Sequence, residues 1–178
     1  MNTVTYTTMD SPIGTLLLAS TDQGLCFVEF AGGDTALIAL QRWCRRWQLA
    51  GEPVRDEAGS LAAKTQLDEY FAGKRRSFDL PLDLYGTPFQ KAVWQELTRI
   101  PYGQTRSYKE IAMALGAVKA VRAIGGANNR NPIPIVVPCH RVIGSNGALV
   151  GYGGGLSIKE RLLTLEGWLK PEQIVTTQ

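Results

Sequence analysis

Histidine is almost absent from this chain: His140 is the only one, and the cysteines number three, Cys26, Cys44 and Cys139. An odd, widely spaced set of thiols forms neither a disulfide framework nor a CxxC knuckle, and a single imidazole excludes the His-rich zinc centres. Neither a metal nor a cofactor is therefore expected. The sequence also lacks an apolar run long enough to span a bilayer, a low-complexity tract and a basic-then-apolar leader. A soluble, cytoplasmic protein with no membrane partner is the expectation. Acid is scarce in one stretch: from 99 to 141, Glu110 alone faces Arg99, Arg106, Lys109, Lys119, Arg122, Arg130 and Arg141. Such a concentration is the footprint of a phosphate-backbone binder, with a merely solvated basic face as the alternative.

At 178 residues, 44% hydrophobic and 20% charged, the chain suffices for one domain or two small ones. Charge divides it, residues 1–82 carrying 8 Lys/Arg against 10 Asp/Glu and residues 83–178 carrying 11 against 6. A scaffold domain over 1–82 and a second domain over 83–178 are predicted. In the first, Thr3–Thr8, Thr15–Ser20 and Leu25–Phe30 read as an antiparallel meander, separated by turns at Ser11 to Gly14 and Asp22 to Gly24. Leu37, Leu40, Trp43, Cys44 and Trp47 mark a helix from Asp34, its candidate cap, to about Leu49. Residues 51–59 read as loop and Leu61–Phe71 as a second helix, while Cys26, among apolar neighbours, reads as core.

The second half opens with Thr87-Pro88-Phe89-Gln90, a capping box with proline at the first helical position. It predicts a helix to Arg99 that buries Phe89, Val93, Trp94 and Leu97. Ser107-Tyr108-Lys109-Glu110 is a second box, and its helix buries Ile111, Ala112 and Leu115 before Gly116. A third helix, about Val118 to Ala127, follows so closely that the pair signals a helix-turn-helix. This helix presents Ala117, Ala120, Ala123, Gly125, Gly126 and Ala127 and no Asn, Gln or Glu aimed at base edges. Small side chains permit close approach to a narrow surface such as a minor groove, or simply tight helix packing. Arg122, beside core-like Val121, is the one long cation on that face.

Candidate chemistry lies in the run from Asn131 to Val142, where Pro132, Pro134 and Pro138 stiffen the approach to Cys139 and His140. A thiol is nucleophilic as thiolate, and His140 and Arg141 offer a base and a positive charge; the other reading is an inert buried cysteine. Val142-Ile143, a turn over Gly144 to Gly147, and Ala148 to Val150 read as a hairpin carrying this site. Gly151 to Gly155, around Tyr152, is a loop able to cup a planar ligand. Ser157 to Glu160 is a third capping box, opening a last helix packed through Ile158, Leu162 and Leu165. Glu166 then sits in the last turn, where the helix dipole disfavours it, a cost that points to a buried partner, His140 being the one histidine available; a solvent-facing Glu166 is the alternative.

Together, Gly86-Thr87-Pro88-Phe89-Gln90, Ile100-Pro101-Tyr102-Gly103, Ser107-Tyr108, Arg122-Ala123, Asn131-Pro132, Pro138-Cys139-His140-Arg141-Val142 and Gly151-Tyr152 closely resemble the O6-alkylguanine-DNA alkyltransferases. The likeness is dense from about Gly86 to Gly167 and looser before it. It implies an α+β fold, with a small N-terminal mixed α/β domain, ribonuclease-H-like, followed by a mostly helical C-terminal domain with a helix-turn-helix. It implies repair of O6-alkylguanine in double-stranded DNA by irreversible, single-turnover transfer of the alkyl group to Cys139 after base flipping, O4-alkylthymine being left open. In that resemblance His140 deprotonates Cys139 through a water, Glu166 orients His140, Asn131 supports the relay, and Tyr108 places its hydroxyl near the guanine and the adjacent phosphate. Arg122 is the finger that enters the vacated stack, and Ala120, Ala123, Gly125, Gly126 and Ala127 form the face in the minor groove. The alkylguanine pocket comprises Cys139, Val142, Tyr152 and Gly153: the carbonyls of Cys139 and Val142 accept from the exocyclic amine, and the Gly153 N–H donates to O6. Several relatives have serine at the position of Gly153. A monomer in free solution is implied, with cooperative assembly along DNA left open.

Two rivals stand beside this reading. One is a non-catalytic helix-turn-helix binder of damaged DNA with Cys139 packed. The other is a thiol hydrolase using Cys139 and His140, which would turn over repeatedly without DNA.

Overall fold

The computed structural model describes residues 3–152 and 154–170. The chain separates into two compact units, Met1–Tyr85 and Gly86–Gln178. In the first, β1 (Thr3–Met9), β2 (Leu16–Thr21) and β3 (Gly24–Glu29) form the expected antiparallel meander, with Thr7 opposite Leu18 and Leu18 opposite Val28. Every residue of β2 is buried, as befits a strand covered on both faces. The helix α1 (Gly33–Arg46) lays Ala36, Leu40 and Cys44, spaced by one turn each, against Val4, Leu17, Ala19, Cys26 and Phe27. Asp34 does not cap it. The N-cap is Gly32, with no side-chain bond, and Asp34 stands in the first turn, where its charge suits the dipole.

Residues expected to be loop hold a fourth strand, β4 (Ala50–Arg55), parallel to β1 at the sheet edge, giving the order β3-β2-β1-β4. Its Gly51 and Pro53 hid it, and an edge strand tolerates both. A single 3-10 turn, Ala58–Ser60, leads into α2 (Leu61–Phe71). The other edge is covered by the chain leaving the unit: Leu25 N–H donates to Pro81 O (3.0 Å), and Asp83 N–H donates to Leu25 O (2.8 Å). Gly24 permits this approach, since a Cβ there would lie 2.3 Å from Pro81 O. Asp83 also accepts from Thr21 Oγ1 (2.6 Å), and Tyr85 packs edge-on against Trp43, so both residues belong with the first unit, which runs to Tyr85.

The second unit contains α3 (Pro88–Leu97), β5 (Arg106–Ser107), α4 (Tyr108–Ala114), α5 (Val121–Asn129), one 3-10 turn (Cys139–Arg141), β6 (Val142–Ile143) and α6 (Leu156–Leu165). Both capping boxes at its head are complete. Thr87 Oγ1 accepts from Gln90 N–H and Gln90 Oε1 from Thr87 N–H; Ser107 and Glu110 do the same. Trp94, Val93 and Leu97 are buried, and Trp94 Nε1 donates to Ala127 O (2.8 Å), pinning α5 to α3. Phe89, expected inside, is 37% exposed: it stands one turn before Val93, in the first turn of α3, where the buried stripe of Val93, Trp94 and Leu97 has not yet begun. Leu115 is half-buried, and Val121 is exposed rather than core, Ile124 taking the buried position.

Three further local expectations fail for identifiable reasons. Residues 117–120 form a turn, so α5 starts at Val121 and runs on through Asn128 and Asn129. Ser157 does not cap α6: the N-cap is Gly155 at φ +95°, with no side-chain bond. The segment from Ala148 to Val150 does not pair with β6 as a hairpin. The turn itself forms, with Gly144 N–H donating to Ala148 O, but β6 pairs in parallel with β5, Arg106 opposite Val142. The carbonyls of Val142 and Val150 both accept from the buried Lys159 ammonium instead.

Candidate active site and nucleic-acid interface

Cys139 is delivered by a tightly bonded run. Asn131 Nδ2 donates to Val137 O (2.7 Å), its Oδ1 accepts from Ile133 N–H (2.9 Å), and Val137 N–H returns to Ile133 O (2.9 Å). Within this loop Ile135 has φ +74°, a strained setting for a β-branched residue, held by complete burial. Cys139 N–H donates to Val137 O and Arg141 N–H to Pro138 O, winding Cys139, His140 and Arg141 into a 3-10 turn. In a 3-10 turn successive side chains diverge by about a third of a revolution, so Cys139 and His140 point apart.

His140 is fully buried, and its Nε2 lies 2.7 Å from Glu166 Oε2. The carboxylate is fully occupied. Oε1 accepts from Arg141 Nε (2.8 Å) and Gly103 N–H (3.2 Å), and Oε2 accepts also from Arg141 Nη2 (2.9 Å). Arg141 Nη1 donates to Ile100 O (2.7 Å), completing a bidentate pair tied to backbone. Burial works against the charge on Glu166, but the bonds and charges of His140 and Arg141 outweigh it and hold its carboxyl well below the usual range. For His140 burial dominates: its pKa falls below the ordinary value despite Glu166, with Arg141 and Lys159 adding to the fall. An ionised Glu166 accepts a hydrogen bond from Nε2–H, which leaves the unprotonated nitrogen at Nδ1, and Nδ1 has no hydrogen-bond partner among the described residues.

The cation that acts on Cys139 is Lys159 rather than Arg141, whose guanidinium is committed to Glu166. Lys159 is fully buried in α6, and its Nζ donates to the carbonyls of Val142 and Val150. Burial brings its pKa down to about 8, although the Cys139 thiol pulls the other way. Cys139 itself is raised, chiefly by burial; hydrogen bonding from Asn131, the Lys159 charge and hydrogen bonding from Tyr152 partly offset this. At rest the site is thus a neutral thiol beside a neutral imidazole.

Tyr108, half-buried at the start of α4, donates its hydroxyl to Val150 O (3.1 Å) and Gly151 O (3.3 Å). Burial, then the Cys139 thiol, raise its pKa, and a hydrogen bond from Asn128 opposes them. Asn128 is a buried residue of α5 whose Nδ2 also reaches Cys139 O (3.4 Å). Val142 is buried and Tyr152 half-buried; Gly153 lies outside the described residues. Among the described residues no cluster of His, Cys, Asp and Glu could hold a metal ion.

On α5, Arg122, Ala123 and Gly126 are exposed, and Gly125 is half-buried. Ala120 is the half-buried N-cap rather than a helical residue. Ala127, assigned by sequence to the outer face, is instead buried, because the stripe Ile124, Ala127, Asn128 packs inward. Sequence reasoning missed Asn128 and Lys159 as site residues. Each carried a signal: Asn128 follows Ile124 by one turn, and Lys159 heads the buried series Lys159, Leu162, Leu163 and Glu166, so polar groups stand on apolar stripes.

These features define a class, two-domain α+β proteins in which a thiol with a histidine–glutamate pair is built into a helix-turn-helix domain. Residues 4–84 match the "6-O-methylguanine DNA methyltransferase, ribonuclease-like domain", and residues 88–168 match the DNA binding domain of the same name. The chain belongs to the 6-O-methylguanine DNA methyltransferase family. A methylated-DNA–protein-cysteine methyltransferase of Methanosarcina acetivorans is 51% identical over 91% of this chain and 97% of its own length. The constitutive enzyme of Bacillus subtilis is 47% identical over 90% and 94%. The crystal structure of Mycobacterium tuberculosis OGT in complex with DNA superimposes with a TM-score of 0.78 at 46% identity, covering 91% of this chain and 92% of that one.

Proposed function

We propose that this protein repairs O6-alkylguanine in duplex DNA by moving the alkyl group to Cys139, once per molecule. The observation that carries the reading is the His140–Glu166 contact of 2.7 Å, which sets a neutral imidazole with a free Nδ1 next to the Cys139 turn. Family membership supports transfer over simple binding of damaged DNA.

The chemistry follows from the charge states. A water between Cys139 Sγ and His140 Nδ1 carries the thiol proton to the imidazole as sulfur attacks the alkyl carbon. The S–C bond forms, the C–O6 bond breaks, and its electron pair stays with the guanine. Glu166 stabilises the imidazolium so formed, and Lys159 the transient thiolate. Tyr108, near the leaving base, donates a hydrogen bond that offsets the charge left on it, its hydroxyl exchanging the Val150 and Gly151 carbonyls for the purine; the base takes up one proton from water as His140 returns one. Asn131 fixes the turn and hydrogen-bonds the sulfur. The product is a thioether with no activated bond for water to cleave, hence the single turnover.

The target atom lies inside the base stack, so the nucleotide must be extruded. The exposed surface of Arg122, Ala123 and Gly126 suits entry into the minor groove, with Arg122 filling the vacated stack. The pocket that receives the base comprises Cys139, Val142, Tyr152 and Gly153, the Val142 carbonyl accepting from the exocyclic amine. No described helix is long and apolar enough to cross a membrane, and three free, buried cysteines suit a reducing cytoplasm. The test is intact-mass measurement after incubation with duplex carrying O6-methylguanine. A gain of one methyl group on Cys139, reached once and then constant, is expected; unchanged mass in folded, DNA-binding protein would sink the reading.

A further inference from the structure

The polar groups around the thiol are almost all spoken for. Val137 O accepts from Asn131 and from Cys139 N–H, Cys139 O from Asn128, Val142 O from Lys159, Val150 O from Lys159 and Tyr108, and Gly151 O from Tyr108. Asn128 is different. One end of its amide is engaged, Nδ2 donating to Cys139 O at 3.4 Å, and the side chain is close enough to Tyr108 to lower the pKa of its phenol. The other end, Oδ1, is buried and has no donor among the described residues. A buried acceptor without a donor is costly and rare, and it calls for a partner that arrives later. Reversing the amide offers no remedy, because it would set Oδ1 against the Cys139 carbonyl.

The position of this atom suggests the partner. Asn128 touches both the turn that carries the thiol and the tyrosine on α4, so a base seated between Cys139 and Tyr108 lies against it. The complementary group is an N–H on a purine edge. O6-alkylguanine has no proton on its ring N1, which leaves the exocyclic amine as its donor. We propose that Asn128 is a specificity-determining residue whose Oδ1 accepts one of the two hydrogens of the exocyclic amine of the extruded O6-alkylguanine, in place of the Cys139 carbonyl, which already accepts from Asn128 Nδ2, while the Val142 carbonyl takes the other. This rests on the alkyltransferase reading, and adds to it a side-chain reader on the recognition helix itself. It also gives α5 two linked tasks, with Arg122 and Gly126 facing outward and Asn128, on the opposite face, meeting the base.

The experiment compares two duplexes identical except at the damaged base, O6-methylguanine in one and O6-methylhypoxanthine, which lacks the amine, in the other. Transfer rate constants to Cys139 are measured for the wild type and for Asn128→Leu, which keeps approximate volume and removes the amide. The wild type is expected to prefer the amine-bearing base, and Asn128→Leu to lose about tenfold of that preference, the worth of one hydrogen bond. Asn128→Asp, which keeps an acceptor while losing both donors, is expected to slow both substrates yet retain the preference. Should Asn128→Leu fail to fold, Asn128→Ala supplies the same ratio. A preference unchanged in the folded Leu or Ala variant overturns the inference, because a purely structural role would slow both substrates alike. Absence of transfer in the wild type from both duplexes overturns the alkyltransferase reading and this inference with it, whereas transfer with an unchanged ratio removes this inference alone.

Discussion

Cys26 in the first unit and Cys139 in the second are both buried, and in both, burial is the main reason the thiol titrates above its ordinary range. Their neighbours then act in opposite senses. Around Cys26 the charges of Cys44 and Asp83 push further upward, against one backbone hydrogen bond; for Cys44, burial and Glu52 bring the pKa to about 11. Around Cys139, hydrogen bonds from Asn131 and Tyr152 and the charge of Lys159 all favour the thiolate. Burial alone therefore makes an inert thiol. What distinguishes the second site is a set of donors and one cation that favour the thiolate, beside an imidazole bonded to Glu166.

The contrast breaks most sharply by deletion of each thiol. Cys139→Ala is expected to abolish methyl uptake entirely, while a Cys26→Ala, Cys44→Ala double variant accepts one methyl group, both read by intact mass. A variant lacking Cys139 that still gains a methyl would place the acceptor elsewhere. Removing the base while keeping the thiol comes next. His140→Gln should slow single-turnover transfer by about 10²- to 10⁴-fold, the usual worth of general-base catalysis, in a quench-flow time course.

Glu166→Gln tests the charge that holds both His140 and Arg141. Neutralising it leaves the guanidinium of Arg141 buried without its counter-charge, a loss of about 3–5 kcal/mol in denaturant unfolding. The pH dependence carries a sign. His140 and Glu166 both bind protons less readily folded than unfolded, so the unfolded chain takes up more protons as pH falls. Their contribution is complete above the ordinary imidazole value of 6.5 and is lost downward through it and past the ordinary carboxyl value of 4.5. Wild-type stability should thus decline as pH falls from about 7 and go on declining below 4.5, where Glu166→Gln, lacking that carboxyl, should decline less steeply.

How much of this was readable beforehand differs between the two regions for a physical reason. The meander, α1, α2 and the two capping boxes follow local rules, in period-two apolar alternation, three-and-four spacing and Ser/Thr before Gln/Glu, and they stand where those rules put them. The edge strand β4 was invisible because Gly51 and Pro53 are local loop signals overridden by pairing with β1. Near the thiol, Cys139, His140 and Glu166 were legible from their chemistry, and the dipole cost at Glu166 pointed to a buried partner. Lys159 was read as part of a capping box because a short motif masked its place on the buried stripe of α6. The hairpin after Val142 failed for a related reason: a side chain from distant sequence took the carbonyls a ladder would have used. Non-local polar bonds of this kind leave no mark in local periodicity.

Arg122→Ala sharpens the comparison inside the second unit, separating engagement of the duplex from thiol chemistry. Arg122 is exposed on α5, and Tyr108 and Asn128, rather than Arg122, contact the thiol's surroundings. Transfer from duplex should fall by about tenfold, part of the unstacking cost that an inserted side chain offsets, while reaction with free O6-methylguanine base stays unchanged. Equal losses on both substrates would deny it a finger role.

The smallest effect is expected from Cys26→Ala alone. Cys26 is fully buried on β3, and its Sγ donates weakly to Ala19 O at 3.4 Å across the ladder from β2. Replacing sulfur by hydrogen leaves a void of about one heavy atom among Leu17, Phe27 and Leu40, worth about 1 kcal/mol at a site that relaxes only partly. The thiol is protonated at any pH near neutrality, so no charge is lost with it. A urea titration should show that modest shift in midpoint with an unaltered slope, and the transfer rate to Cys139 should match the wild type. A folded Cys26→Ala protein that transferred methyl groups more slowly would show the first unit's thiol to be coupled to the chemistry, and the division between a packed and an activated cysteine would have to be abandoned.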